Sequence, residues 1–259
     1  GRSSGRWRAG ASGAWRGRPR RGRFRRMNDV EVITVAHRFR GPDASANGGY
    51  FAGLVSAHSP SPVTVRLLAP PPLDEALVVQ RDGANVWVSH EGSAIAEARA
   101  MEGGLPAAPS PPPYDVALEA SRHFAGFHQH DYPGCFVCGT QRERGDGLRI
   151  FAGAWRDGLV AAPWVPDASL AGSDGKVAGE FMSAAIDCPG DFAAQVERKM
   201  LLGEFTVHVD RRVHIDEPCV VIGWRLGSSG RKHVVGTALY DEDGELCARA
   251  LGLWIETRG

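Results

Sequence analysis

An internal repeat with an offset of 142 residues constrains the fold of this chain more than any other feature of its sequence. Three pairs of similar segments share this offset: 64–66 with 206–208, 73–75 with 215–217, and 78–79 with 220–221. The units of a solenoid are only about 20–50 residues long, so this period excludes a solenoid. The repeat indicates a duplicated domain, and a duplication allows one active site to be divided between two halves that have each lost a part of it.

Composition places the chain among globular proteins. Its 259 residues suit one large domain or two small ones, and a hydrophobic content of 43% is ordinary for this class. No apolar run reaches the roughly 20 residues that a membrane-spanning helix needs. The five cysteines are an odd number and are spread thinly along the chain, which argues against a disulfide framework. We therefore expect a reducing compartment and a cytoplasmic protein.

The formal net charge of zero hides an uneven distribution of charge. Residues 1–26 contain ten arginines and no acidic residue, so the remaining chain has 20 basic and 30 acidic side chains. This acidic body argues against nucleic acid as a partner. We expect residues 1–26 to be disordered because they lack apolar periodicity. Three origins stay open for them: translated upstream sequence with Met27 as the initiator, an RNA- or phosphate-binding arm, and an organelle transit peptide.

Hydrophobic periodicity predicts a helix followed by antiparallel strands in both halves, which gives an α+β class with helices layered on a sheet. In the first half we expect a strand at 30–35 continuing to residue 39, a helix from Gly48, and strands at 63–68, 76–82, 85–91 and 93–101. In the second half we expect strands at 148–155 and 158–163, a helix at 179–194, and strands at 203–208, 218–228, 231–240 and 245–257. The predicted domains are 27–101 and 133–259, joined by a linker over 102–132 with a short helix at 116–124.

The helix starts and strand ends resemble those of a known family. Residues 47–54, Asn-Gly-Gly-Tyr-Phe-Ala-Gly-Leu, resemble the opening of the central helix in hotdog-fold acyl-CoA thioesterases, and residues 96–100 resemble the end of that domain. Residues 135–139 with 147–150 resemble the start of many single hotdog domains, and residues 180–187 resemble their central helix. The resemblance implies a double hotdog fold, in which two antiparallel sheets are each wrapped around a central helix.

The resemblance also implies how a thioester would be hydrolysed. Peptide N–H groups at a helix start stabilise the negative charge that develops on the thioester carbonyl oxygen. A carboxylate activates water or attacks the carbonyl carbon directly. Gly48 and Gly49 offer such N–H groups without a side chain in the way, and the Asn47 amide is an additional donor.

The two halves have lost opposite parts of such a site. Nine and ten residues after Asn47, the first half has Ser56 and Ala57 and therefore no acid. Nine residues after Ala178, the second half has Asp187, but it has no Asn or His at its helix start. Since the resemblance places the helix start of one half against the acid of the other, we expect one composite site formed by the first helix start and Asp187.

Several of these residues have structural alternatives. The two glycines would equally serve tight packing of the first helix, and Asp187 would be a solvated turn residue if the second helix ended there. Glu180 and Asp191 are weaker candidates for the acid. The expected substrate-binding residues are Tyr50, Phe181 and Glu180, which adjoin the helix starts, and the acyl chain is expected to lie between the two central helices.

Four side chains that can bind a metal lie within eleven residues: His128, His130, Cys135 and Cys138. A Cys-x2-Cys-Gly turn presents both thiolates to one ion, and a His-x-His pair on an extended segment points to one side. These residues could form a closed structural zinc site. The alternatives are linker histidines beside buried apolar cysteines, and a redox dithiol. Because the resemblance implies no metal requirement, we expect no cofactor, with this zinc site as the alternative.

Hydrolysis of acyl-CoA thioesters at the composite site is the first functional hypothesis. The second is a catalytically silent acyl-CoA- or lipid-binding protein, and the third is an acyl-CoA hydratase-like enzyme. A hydratase is disfavoured because such hotdog enzymes usually pair the Asp with a His five residues later, where this chain has Phe192. Three basic pairs (198–199, 211–212 and 231–232) could bind the phosphates of coenzyme A or form a solvated face, and a homo-oligomer is compatible with the sequence.

Overall fold

The computed structural model of the protein describes residues 31–156 and 158–258. The predictions for residues 1–26, including their disorder and their three origins, lie outside the described residues. None of the described helices has the length and the apolar character that crossing a membrane requires.

The first half folds in the predicted order. It contains β1 (Glu31–Ile33), α1 (Gly48–Ser56), β2 (Val63–Leu67), β3 (Leu77–Asp82), β4 (Asn85–His90) and β5 (Ser93–Ala100). The predicted continuation of β1 to residue 39 is wrong, because His37–Phe39 forms a 3-10 helical turn. The backbone there bonds to a loop instead of a strand, since the His37 N–H donates to the Asp74 carboxylate at 2.9 Å.

In the second half, α2 (Tyr114–Ser121) precedes a strand pair, two short helices and four long strands. These are β6 (Gly153–Arg156), β7 (Leu159–Trp164), α3 (Gly179–Ala185), α4 (Cys188–Ala193), β8 (Met200–Val209), β9 (Cys219–Ser229), β10 (Lys232–Tyr240) and β11 (Leu246–Glu256). The strand predicted from residue 148 begins only at Gly153. Before it, the Leu148 N–H donates to the Phe136 carbonyl, which ties this segment to the cysteine-containing loop instead of the sheet.

The eleven strands of the described residues form a single antiparallel sheet in the order β1-β3-β4-β5-β2-β8-β11-β10-β9-β7-β6. The structure therefore has the sheet and helices of the predicted α+β class, but its described strands form one continuous sheet where two antiparallel sheets were predicted. The two halves join where β2 pairs with β8. This pairing gives each strand a partner for backbone groups that would otherwise be exposed at a sheet edge.

The junction between β2 and β8 is formed by residues that the repeat relates. Thr64 pairs with Thr206, its counterpart at the repeat offset of 142, and their hydroxyl oxygens are 2.7 Å apart. A residue that pairs with its own counterpart lies on a local two-fold axis, as in the self-complementary contact of a symmetric dimer. The sheet therefore joins the two halves as such a dimer joins its subunits.

The helices α1 and α3 pack directly against each other on one face of the sheet. A Cβ on Gly53 would lie 2.7 Å from the Glu180 Cα, so glycine is needed for this close approach. The Ser183 hydroxyl also donates to the Gly49 carbonyl at 2.7 Å. The two helices therefore pack in direct contact, and the hydrogen bond from Ser183 holds the start of α1 against α3.

The helices α2 and α4 lie on opposite faces of the second half of the sheet. Adjacent residues of β9 show this arrangement, because Val221 belongs to the main core with α4 and Ile222 belongs to a smaller core with α2. Successive side chains of a strand point to opposite faces. The segment predicted as a linker thus contains a helix that covers the outer face of β6, β7 and β9.

The continuous helix predicted over 179–194 is wrong, because the chain breaks the helix between α3 and α4 at Ile186 and Asp187. Pro189 explains the break. Its ring has no N–H to donate to the Ala185 carbonyl four residues earlier and would clash with that carbonyl in a regular helix. The chain therefore restarts as α4 with Asp187 in the N-cap position, which places this residue at the junction of two helices.

Candidate active site

The start of α1 is held in place by Asn47. Its backbone is extended, as the N-cap position requires, and its side-chain oxygen accepts the Tyr50 N–H at 2.9 Å. Asn is among the preferred N-cap residues because its short side chain satisfies a backbone donor that the helix leaves free. The residue is only 2% exposed, so its remaining amide group must find partners inside the protein.

Asp187 of the second half supplies the main partner. The Asn47 amide nitrogen donates to its Oδ2 at 2.8 Å, and the Gly49 N–H donates to the same oxygen at 3.0 Å. Asn47 and Asp187 are 140 residues apart in the chain. The structure thus brings together three of the four residues that the sequence analysis selected for catalysis.

Gly49 permits this contact because it has no side chain. A Cβ at this position would lie 2.4 Å from the Asp187 Cβ, far inside the ordinary distance between carbon atoms. The alternative that the glycines serve close packing is therefore correct for Gly49. The group that packs against Gly49 is the Asp187 side chain, so its packing role is also what brings the carboxyl group to the helix start.

Burial dominates the electrostatics of Asp187, which is 1% exposed. Burial raises the pKa of its carboxyl to about 7, and the nearby Cys135 also raises it, while the hydrogen bonds from Gly49 and Asn47 oppose this rise. Its second oxygen, Oδ1, is buried and has no hydrogen-bond partner among the described residues. The alternative of a solvated turn residue is therefore wrong, because the carboxyl is enclosed.

Gly48, the fourth selected residue, is half-buried, and among the described residues its N–H donates no hydrogen bond to Asp187. As the first residue of α1, its N–H lies beyond the reach of the intrahelical hydrogen bonds. Among the described residues, no backbone carbonyl accepts this N–H. Gly48 therefore offers the unoccupied donor at the helix start, whereas the Gly49 N–H is already bonded to Asp187.

A cavity of about 1270 Å³ has Asn47, Gly48 and Asp187 in its wall. Its apolar lining includes Leu67, Val160, Phe192, Met200, Leu202 and Trp254. Three exposed basic residues also line it: Arg198, Lys199 and Arg231. The acidic residues Asp131, Glu197 and Glu256 lie among them in the lining. The cavity therefore combines an apolar wall, a charged outer part and the buried carboxyl.

The predicted substrate-binding residues lie elsewhere. Tyr50 and Phe181 are buried in an aromatic cluster with Phe39 and Phe136, and the rings of Tyr50 and Phe39 stack at 4.4 Å. Neither Tyr50, Phe181 nor Glu180 lines the cavity. The helices α1 and α3 are in direct contact with each other, and this packing disfavours the predicted passage of the acyl chain between them.

The predicted zinc ligands are only partly assembled. His128 is exposed, and both ring nitrogens of His130 are engaged, because Nε2 bonds to the Cys138 carbonyl and Nδ1 accepts the Tyr132 N–H, each at 3.0 Å. The histidines therefore do not complete a site with the thiols. Cys135 and Cys138 are instead joined by Cys188, and all three are buried.

Each thiol of this group affects the pKa of its neighbours. Contacts from the Cys138 and Cys188 thiols and from backbone N–H groups of the turn hold the pKa of Cys135 well below its ordinary value, although burial opposes this. Sequence reasoning missed Cys188 because it lies far along the chain from the pair. The signal that could have found it is its position next to Asp187, which the composite site already placed against the first half.

Asp191 also belongs to this neighbourhood. It lines the cavity, and burial, Asp187 and Asp131 raise its pKa well above the ordinary value, in that order of effect. It accepts no hydrogen bond from Asn47 or Gly49 among the described residues. The geometry therefore favours Asp187 over Asp191 as the acid of the site, and it leaves Glu180 outside the cavity.

Solved structures with a similar fold cover nearly all of this chain. A tesB protein of Mycobacterium avium subsp. paratuberculosis matches with a TM-score of 0.56 and 13% identity, over 90% of this chain and 96% of that protein. A candidate thioesterase of Novosphingobium aromaticivorans matches with a TM-score of 0.58 and 15% identity, over 90% and 98%. The chain therefore shares the fold of these two solved structures.

A third similar structure is a candidate thioesterase II of Thermobifida fusca, with a TM-score of 0.56 and 17% identity, over 88% of this chain and 92% of that protein. Neither a model of a protein family nor a curated protein sequence matches the chain. The three solved structures confirm the resemblance to hotdog-fold thioesterases for the fold alone.

Proposed function

We propose that the protein hydrolyses acyl-CoA thioesters at one composite site between its two halves. The observation that carries this proposal is the buried Asp187 carboxyl, held by the Asn47 amide and the Gly49 N–H in the wall of a large cavity. A buried carboxyl group is costly unless it is paired or has a function. Here one oxygen is fixed by two donors and the other has no partner among the described residues.

The chemistry follows from the roles of these groups. Asp187 accepts a proton from a water molecule, whose oxygen adds to the thioester carbonyl carbon. The carbonyl oxygen becomes negatively charged, and the Gly48 N–H at the start of α1 stabilises it together with the positive end of the helix dipole. Collapse of the intermediate breaks the carbon–sulfur bond, and the leaving thiolate takes the proton from Asp187. The products are a carboxylic acid and a free thiol.

The cavity supports coenzyme A as the carrier of the thiol. Arg198, Lys199 and Arg231 line its exposed part, where they can bind phosphate groups. Arg211 and Arg212 of the predicted basic pairs are paired with Asp241 and Asp174. Arg198 also lies 3.8 Å from the Glu256 carboxylate, but it is mostly exposed and lines the cavity. Three of the six residues of the basic pairs thus line the cavity, and its apolar lining suits an acyl chain.

The test is steady-state hydrolysis of a panel of acyl-CoA esters, measured as release of free thiol. The wild type is expected to turn over at least one chain length, and to have a higher KM for the same acyl group on N-acetylcysteamine, which lacks the phosphates. Asp187→Asn keeps the shape but not the base and is expected to lower kcat about 100- to 10,000-fold. The exposed Asp243→Asn is the matched control and is expected to leave kcat unchanged.

A catalytically silent acyl-CoA- or lipid-binding protein is the second candidate. It is favoured if the wild type binds acyl-CoA in equilibrium dialysis but releases no thiol from any member of the panel. Equal turnover by the wild type and Asp187→Asn would also contradict the proposed mechanism, because hydrolysis would then not depend on this carboxyl group.

A further inference from the structure

Three buried thiols meet beside the candidate active site. The Sγ atoms of Cys135, Cys138 and Cys188 all lie within 4.8 Å of one another. The distance between the Sγ atoms of Cys135 and Cys188 is 3.7 Å. The hydrolytic mechanism uses none of these thiols. They come from two separate segments, the loop before β6 and the first residue of α4, so their meeting is a product of the tertiary fold.

The loop that carries two of the thiols has the tight turn of a metal-binding knuckle. The Gly139 N–H donates to the Cys135 carbonyl at 2.9 Å and closes the turn. A Cβ on Gly139 would lie 2.3 Å from that same carbonyl oxygen, so glycine is needed at this point. The Cys-x2-Cys-Gly spacing therefore serves to direct both thiols to one side of the loop.

The spacing of the thiols suits a tetrahedral metal ion. A Zn²⁺–thiolate bond of about 2.3 Å in tetrahedral geometry places neighbouring sulfur atoms about 3.8 Å apart. The 3.7 Å between Cys135 and Cys188 is close to this separation. The Asn47 amide nitrogen lies 3.9 Å from the Cys135 Sγ and 3.8 Å from the Cys188 Sγ, and amide donors near thiolates stabilise their negative charge.

We propose that Cys135, Cys138 and Cys188 form a three-thiolate binding site for Zn²⁺. Each thiol loses its proton to solvent when the ion binds. All three cysteines line the large cavity, so the fourth position of the ion faces the cavity and is taken by water or by a bound ligand. This set differs from the four-ligand zinc site that the sequence left as an alternative, since Cys188 takes the place of His128 and His130.

The site would tie the cysteine-containing loop to the start of α4. Cys188 directly follows Asp187, so a bound ion fixes the backbone of the residue that carries the carboxyl group. Binding is nonetheless independent of the proposed hydrolysis, because its ligands and its measurement do not involve turnover. A protein without thioesterase activity would still bind the ion at these three thiols.

The experiment measures metal binding by the purified full-length chain after reduction and removal of metals with a chelator. Addition of Co²⁺ is expected to produce a thiolate-to-metal charge-transfer band that saturates at one ion per chain and disappears when Zn²⁺ is added. Cys188→Ser is expected to lower the Zn²⁺ affinity at least about 100-fold. Cys219→Ser and Cys247→Ser, which change buried cysteines outside the cluster, and His130→Ala are the matched controls and are expected to keep it.

A second measurement uses only the wild type, so it does not depend on whether the cysteine variants fold. The rate at which each cysteine is alkylated is measured by peptide mapping with and without Zn²⁺. Zn²⁺ is expected to slow the alkylation of Cys135, Cys138 and Cys188 and to leave Cys219 and Cys247 unchanged. The proposal is overturned if Co²⁺ gives no charge-transfer band, if Zn²⁺ protects no thiol of the cluster, or if His130→Ala abolishes binding while Cys188→Ser retains it.

Discussion

The two halves of the molecule use equivalent helices in different ways. In the first half, α1 is continuous and begins at the capping residue Asn47. In the second half, Ala178 occupies the capping position and makes no side-chain cap, and the helix is interrupted before Pro189. The interruption is the position of Asp187. One half thus has a capped helix start, and the other has an acid, and the single site that we propose combines the two.

The second position of each helix shows the same division. α1 has Gly49 there, and the absence of a side chain admits Asp187. α3 has Glu180 at the equivalent position, where an acid is favourable next to the positive end of the helix dipole. Nine residues after Asn47, the first half has Ser56, whose hydroxyl is buried without a partner among the described residues. The equivalent arrangement, with the start of α3 against the end of α1, therefore lacks both a glycine that makes room for a carboxyl group and the carboxyl group itself.

The largest effect expected from breaking this asymmetry comes from Gly49→Ala. The added methyl group would lie 2.4 Å from the Asp187 Cβ, so the carboxyl must move away from Asn47. We expect kcat for acyl-CoA hydrolysis to fall about 100-fold, as for the loss of one group that stabilises the transition state. Stability is expected to fall by about 1–3 kcal/mol in chemical denaturation because the contact is overpacked.

Gly53→Ala is the matched control for that variant. Its methyl group would meet the Glu180 Cα at 2.7 Å but not Asp187. We expect a similar loss of stability with a much smaller change in kcat. If both variants lose activity in proportion to stability, Gly49 has only a packing role.

A smaller effect is expected for Asn47→Ala, which removes one of the two donors to Asp187. A hydrogen bond to a charged group is worth about 1.5–3 kcal/mol, so kcat should fall at least about 10-fold. The lost N-cap should lower stability by about 1 kcal/mol. Steady-state kinetics together with urea denaturation would measure both changes, and an unchanged kcat would remove Asn47 from the site.

The smallest effect is expected for Ala178→Asn, which gives the second half the cap that it lacks. The extended backbone of Ala178 already suits an N-cap residue, so we expect a gain of about 0.5–1 kcal/mol in stability. We expect no gain in kcat, because the first half has no acid to place against this helix start. A second active site, seen as a doubled number of bound acyl-CoA molecules, would contradict the asymmetric account.

Much of this arrangement could be predicted from local signals. Periodicity located most strands, and the repeat together with the family resemblance paired Asn47 with Asp187. Two features lay beyond that reasoning. The joining of the sheets at Thr64 and Thr206 depends on contact between two strand edges, which no local pattern specifies. The aromatic cluster around Tyr50 depends on which faces of the helices turn inward, and that is decided by their packing against each other.

The helix break could have been predicted, because Pro189 is visible in the sequence and disfavours a helix that continues through it. The helical pattern on both sides outweighed this signal. Cys188 shows the opposite case, since a residue 50 positions after Cys138 joins it only in the tertiary fold. The local sequence therefore indicated which residue types could bind a metal, but only the tertiary fold shows which of those residues lie together.

A double-mutant cycle between Asn47 and Asp187 tests the central claim most directly. The claim is that residues from the two halves act as one unit, and groups that act as a unit have non-additive effects on catalysis. We predict that kcat/KM of the double variant, Asn47→Ala with Asp187→Asn, equals that of Asp187→Asn alone within error. Losses that multiply in the double variant would show that the two residues act independently and would contradict a composite site.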